Sequence, residues 1–144
     1  MKLKILSVGK IKNNNLDEMS SDFEKRISHN AKLEIIDIKD SNIQSEGNRI
    51  TTHLGKNPSF NIAMSEEGEQ ITSQGLALLL QSRSEPITFI IGGPKGLADV
   101  VKQKANMILS LSTMTFTHEM VKMFLLEQIY RAISILEHRK YHKD

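Results

Sequence analysis

Three groups of residues carry the chemical possibilities of this chain. The first is Gly92-Gly93-Pro94-Lys95-Gly96, directly behind the apolar run Ile87–Ile91. Adjacent glycines let the backbone take φ > 0 and let a ligand approach with no Cβ in the way. Pro94 fixes φ and removes an N–H. The turn has neither a G-x-G-x-x-G pattern nor the Gly-Lys-Ser/Thr ending of a P-loop, because Gly96 follows Lys95. A nucleotide-like ligand here would be gripped by backbone and shape, which points away from ATP hydrolysis. An ordinary tight strand-to-helix turn would use the same residues.

The second group is the stretch Leu109–His118, where small hydroxyls alternate with Leu111, Met114 and Phe116. Main-chain groups leaving a strand can read an adenine edge while those apolar side chains cover its faces. His118 stands four residues before Lys122, so the two share one helical face. The bland alternative makes His118 a helix-start residue bonded to backbone and the hydroxyls caps. The third group is the tail Glu137–Asp144, with Tyr141, two histidines and three cations able to stack on a base or contact phosphate. Polar termini of this kind usually fray. His138 and His142 have the i,i+4 spacing of a metal pair, but no third ligand is evident and no metal site is expected. No serine sits in a Gly-x-Ser-x-Gly elbow, so a hydrolase has little support.

The elements that must position these groups alternate along the whole chain. The pattern predicts strands near 2–8, 33–38, 61–64, 87–91 and 109–113, and helices near 16–29, 43–54, 73–83, 97–107 and 119–136. Such repetition specifies an α/β domain with a mainly parallel sheet and helices on both faces. Its 144 residues read as a single domain, 1–144, with no linker or repeat, and are enough to bury a core. Ile87–Ile91 is apolar or β-branched throughout, as in a strand covered on both faces. The predicted last helix carries more apolar residues than a one-sided stripe, which suggests a second burial surface, most simply another copy of the chain.

Composition narrows the function classes. There is no cysteine, so no disulfide or thiolate metal site is possible. No apolar run approaches the ~20 residues of a membrane span, no signal peptide is read at the N-terminus, and a cytoplasmic location is expected. The net charge of +2 is mild. Its distribution is more informative, with Lys2, Lys4, Lys10 and Lys12 around the first strand and Arg131, Arg139, Lys140 and Lys143 at the end. Together they allow a phosphate-binding face.

Three blocks in order, Ile90–Leu97, Leu109–His118 and Leu126–Ala132, closed by Tyr141-His142-Lys143, resemble the ribosomal RNA large subunit methyltransferase H family, a small branch of the SPOUT methyltransferases. Met1–Ile5 with Val8-Gly9-Lys10, and Phe23–Arg26, fit the family's start. The resemblance implies a parallel sheet whose C-terminal part forms a deep trefoil knot, and S-adenosylmethionine bent within it. It implies methylation at N3 of a pseudouridine in a large-subunit (23S) rRNA stem-loop on the assembled ribosome. It further implies a homodimer whose tails help complete each active site. Carried over position by position, Met64, Gly92 and Leu111, Ser112, Thr113, Met114, Thr115 and Phe116 match the cofactor-binding positions. His118, Tyr141, His142 and Lys143 match those of substrate and catalysis.

Four departures from the family pattern bear on rate and substrate geometry. Ser65 replaces an aspartate beside the cofactor loop, Thr117 a proline, Lys122 an arginine, and Lys140 a proline or small residue. A neutral histidine, His142 or His118, could accept the N3 proton, and Lys143 or Lys122 could stabilise the developing anion. The sequence does not choose within either pair. The rival reading is a non-catalytic RNA-binding module that keeps the fold. A weaker one is a generic nucleotide-binding α/β protein.

Overall fold

In β1 (Lys2–Val8) side chains alternate between two cores: Leu3 and Ile5 face one, Leu6 and Val8 the other. β2 (Lys32–Ile38), β3 (Phe60–Gln70), β4 (Ile87–Ile91) and β5 (Met107–Ser110) join it in one sheet of order β2-β1-β4-β3-β5, parallel at every pairing. The computed structural model describes residues 1–143; Asp144, the end of the tail considered above, lies outside the described residues.

Five helices cover the sheet. α1 (Asn14–Ser28), α3 (Ser73–Ser82) and α5 (His118–Leu136) close the core built on Leu3, Ile5, Ile62 and Phe89. α2 (Ile43–Leu54) and α4 (Asp99–Lys104) close the core built on Leu6, Val8, Ala63 and Ile90. Connections moving one way across the sheet use α1 and α3, and those moving the other way use α2 and α4. All four crossovers therefore share one hand. Asn13, Asn42, Thr72 and Thr117 cap α1, α2, α3 and α5, each side chain accepting from a backbone N–H of the first turn. Thr117 thus replaces the pre-set turn of a proline with a hydroxyl cap, donated to by Met120 N at 3.3 Å.

Four elements differ from expectation, α4 among them, since it spans only Asp99–Lys104. β3 continues to Gln70, although Glu66-Glu67-Gly68 reads as a loop; its register on β5 shifts so that Met64 and Glu69 both pair with Leu109. Gly68 permits this, because a Cβ there would lie 2.6 Å from the Ile108 carbonyl. β5 ends at Ser110, so Leu111–Phe116 lies beyond the strand, since β3 offers no partner beyond Gln70. α5 lies between α1 and α3, and Leu76 and Leu80 of α3 and Phe23 of α1 help cover the apolar residues in excess of one stripe. Much of that excess is a roof supplied by the chain's own helices, so it no longer requires a second copy.

Candidate active site

β1 and β4 are neighbours from which the chain departs in opposite directions, to β2 and to β5. At the carboxyl ends of such strands an open α/β sheet leaves a crevice. Here it is a cleft of about 910 Å³, walled by Asn13 and Leu16, by Met64–Glu67, by Ile91–Leu97 and by the segment from Leu109 to Val121. The expected cofactor residues Met64, Gly92, Leu111, Ser112, Met114, Thr115 and Phe116 all line it. Thr113 does not; it is exposed beside the wall.

The glycine turn works differently from the sequence expectation. Neither Gly92 nor Gly93 has positive φ; Gly96 does, at 84°. Gly92 is needed for close approach, because a Cβ there would lie 2.6 Å from the carbonyl carbon of Gly96 and 2.7 Å from its oxygen. Gly96 N donates to Gly93 O at 2.9 Å and closes the turn. Beneath it, buried Glu46 accepts from Ser41 N at 2.7 Å and reaches within 3.7 Å of where a Gly93 Cβ would be. Opposite the turn, Ser110 Oγ donates to Ser112 O and Met114 N to Ser112 Oγ, which shapes the hydroxyl stretch into a second wall. Met114 stays 72 % exposed beside it.

These walls fit S-adenosylmethionine. Apolar faces from Ile91, Leu97, Leu111 and Phe116 suit a nucleoside and a thioether, hydroxyls and main chain supply polar contacts, and Glu66 brings negative charge for a sulfonium or an amine, while Glu67 is paired with Lys102 of the same wall at 3.3 Å. Ser65 lines the cleft without the family's carboxylate, but Glu66 on the same excursion of β3 supplies acid.

His118 begins α5 in the cleft wall, near the Gly9 turn at φ 78°, where an added Cβ would lie 3.8 Å from His118 Nε2. Glu119 ties this corner together by accepting from Lys12 N at 2.9 Å and Asn13 N at 3.0 Å. Those bonds, Asn13's foremost, hold its carboxyl below the usual range. Lys122 is not in the cleft. It is buried, with Nζ 3.5 Å from Asp37 Oδ1, so a role on a substrate anion does not fit its position.

The tail is docked rather than frayed. His138 takes φ 56°, and Arg139 N donates to Ser134 O while His138 N donates to Ile135 O. This Schellman closure turns the chain back along α5. The Tyr141 ring meets Tyr130 edge-on at 4.8 Å, and its hydroxyl donates to Glu127 Oε1 at 3.1 Å. Burial first, then the Glu127 charge, pushes the Tyr141 hydroxyl's pKa up. Arg131 pairs with Glu127 and lies over the Tyr141 ring. His142 sits between Arg131 and Gln74, and Lys143 is exposed. Glu127 stands nine residues beyond His118, roughly 13 Å along the helix axis. One chain therefore brings His118 to the cleft and keeps Tyr141 and His142 apart from it.

Sequence reasoning missed Gln74, Glu127 and Arg131 as the holders of the tail, and Asn13, Glu66 and Glu67 as walls. The i,i+4 spacing of Glu127 and Arg131 was a signal of a pair. Nothing in the sequence pointed to Gln74.

Comparison with known proteins matches residues 1–142 to the family model described as "Predicted SPOUT methyltransferase". The ribosomal RNA large subunit methyltransferase H of Acholeplasma laidlawii (strain PG-8A) is 40% identical over 151 residues, covering 99% of this chain and 100% of the relative. That of Coprothermobacter proteolyticus is 38% identical over 147 residues, covering 99% and 100%. Among solved structures, a probable methylase family protein from Haemophilus influenzae Rd KW20 superposes with a TM-score of 0.58 at 11% identity, over 99% of this chain and 70% of that one, a likeness of fold. Full-length matches of this kind, on a chain whose cleft lies where the shared motifs meet, place it in the ribosomal RNA large subunit methyltransferase H branch of the SPOUT methyltransferase family.

Proposed function

We propose that this protein transfers a methyl group from S-adenosylmethionine to N3 of a pseudouridine in a stem-loop of large-subunit rRNA, acting on the assembled ribosome in the cytoplasm. The observation that carries this is the meeting, in one cleft, of the Gly92 turn, the Leu111–Phe116 wall and His118. The cofactor, when bound, supplies an electrophilic methyl on sulfonium sulfur. The chain's own task is to hold the groups in line and to deal with the N3 proton. Gly92, Leu111, Ser112, Thr115 and Phe116 would hold the cofactor, and the exposed Lys143 would meet RNA phosphate or the developing imide anion.

The finer expectations belong to the same reading: a trefoil-knotted C-terminal part, and a homodimer in which the tail serves the other subunit's cleft. Exposed Met114 and Met120 beside half-buried Phe116 and Phe124 supply an apolar margin near the cleft for a second copy. The separation of His118 from Tyr141 and His142 within one chain favours the same arrangement. Calorimetry with S-adenosylmethionine, followed by methylation of ribosomes lacking the modification, tests the proposal. Cofactor binding with methyl transfer is expected. RNA binding without cofactor binding would favour the non-catalytic module instead.

A further inference from the structure

The two histidines open to a proton-accepting role occupy different chemical settings. His118 lines the cleft. His142 has both ring nitrogens engaged: Nδ1 is 3.3 Å from Arg131 Nη1, and Nε2 is 3.1 Å from the Gln74 side-chain amide. A guanidinium has donors only. Nδ1 must then accept, and the neutral ring carries its proton on Nε2. That N–H needs an acceptor, which the Gln74 amide supplies when its oxygen faces the ring, a half-turn of the amide group. Arg131 is itself fixed, since its Nε donates to Glu127 Oε1 at 3.0 Å, and the same oxygen accepts from Tyr141. The tail is thus one hydrogen-bonded unit on α3 and α5, whichever cleft it serves.

We propose that His118 is the catalytic residue that accepts the N3 proton, and that His142 is a positioning residue locked as the Nε2–H tautomer by Arg131 and Gln74. This rests on the methyl-transfer reading above. In the step, the N3–H bond breaks with its electron pair left on N3, and the proton goes to a ring nitrogen of His118. N3 bonds to the methyl carbon as the C–S bond breaks, and that pair returns to sulfur, leaving a neutral thioether. His118 then releases the proton to water. Arg131 and Gln74 act through His142 by holding the end of the tail against α3 and α5.

Imidazole nitrogen NMR on the whole protein tests the tautomer without turnover. Protonated Nε2 and bare Nδ1 are expected for His142, with the preference lost in Arg131→Met. An Nδ1–H tautomer in the wild-type protein would overturn the positioning role. The second arm is single-turnover methylation of unmodified ribosomes across pH at saturating cofactor. His118→Asn should slow transfer about 100-fold or more and abolish the acid limb of the profile, the contribution of a lost general base. His142→Gln, which retains an N–H for the Gln74 side, should lose about ten-fold or less and keep that limb. Calorimetry should show that both variants bind S-adenosylmethionine. A limb kept in His118→Asn and lost in His142→Gln would reverse the assignment. A wild-type protein that neither binds cofactor nor methylates rRNA would instead remove the functional reading beneath it.

Discussion

Replacing Gly92 with alanine should damage the cofactor site more than the same change at either neighbouring glycine of the turn. The added Cβ would meet backbone, 2.6 Å from the Gly96 carbonyl carbon, 2.7 Å from its oxygen and 3.0 Å from Leu97 N. No flexible side chain can move aside, so the turn must open, at about 1–3 kcal/mol for an overpacked site. Gly93→Ala meets side chains rather than backbone, Val8 Cγ1 at 3.1 Å and Glu46 Oε1 at 3.7 Å, so a shift of a few tenths of an ångström accommodates it at about 1 kcal/mol. Gly96→Ala enters open space, but at φ 84° an L-residue loses about 1 kcal/mol. Urea unfolding of the three variants should therefore rank Gly92→Ala lowest. Because the turn walls the cleft, S-adenosylmethionine should bind Gly92→Ala about ten-fold or more weakly, which corresponds to ~1.4 kcal/mol. A Gly92→Ala protein with wild-type stability and wild-type affinity would refute the packing argument and the placement of the cofactor together.

Three further outcomes are expected. Ser20 is 1% exposed and its hydroxyl has no hydrogen-bond partner among the described residues, so Ser20→Ala should stabilise by about 1 kcal/mol in urea unfolding; a loss would mean the hydroxyl is satisfied. His138→Gly should stabilise by roughly 0.5–1 kcal/mol by relieving φ 56° at the end of α5, and a destabilised variant would show that the side chain contributes more than the strain removes. Glu119 has a folded pKa below its unfolded value, so its contribution is present above the unfolded pKa, near 4.5, and is lost as pH falls through the folded one. The stability gap between wild type and Glu119→Gln should accordingly shrink between pH 7 and pH 3, and a gap independent of pH would contradict the two N–H bonds.

Local pattern was enough wherever a segment's neighbours agree with its own preference. β1, α2 and β4 fall where the apolar periodicity places them. It was insufficient where pairing decides. β5 starts at Met107 because Ile62 of β3 is there to receive it, which shortens α4 to Asp99–Lys104. The polar stretch Ser65–Gln70 gives no sign of strand, yet Gly68 lets the ladder resume after a four-residue excursion that forms one wall of the cleft. The site shows the same division. The Gly92 turn, the hydroxyl wall and His118 were visible as sequence blocks, because contiguous residues build each wall. The tail's position was not visible, since it depends on one left-handed residue, His138, and on Gln74, Glu127 and Arg131, brought to it by the packing of α3 against α5. Lys122 misled for the mirror reason: its helical spacing from His118 is right, but Asp37 of β2 captures its charge away from the cleft.

The central claim is most directly tested by nucleoside mass spectrometry of large-subunit rRNA from a strain lacking this gene, beside the same strain with the gene restored. The account predicts that an N3-methylated pseudouridine disappears with the gene, with unmethylated pseudouridine left at that position, and returns with the wild-type protein. An rRNA methylation pattern unchanged by loss of the gene would contradict it.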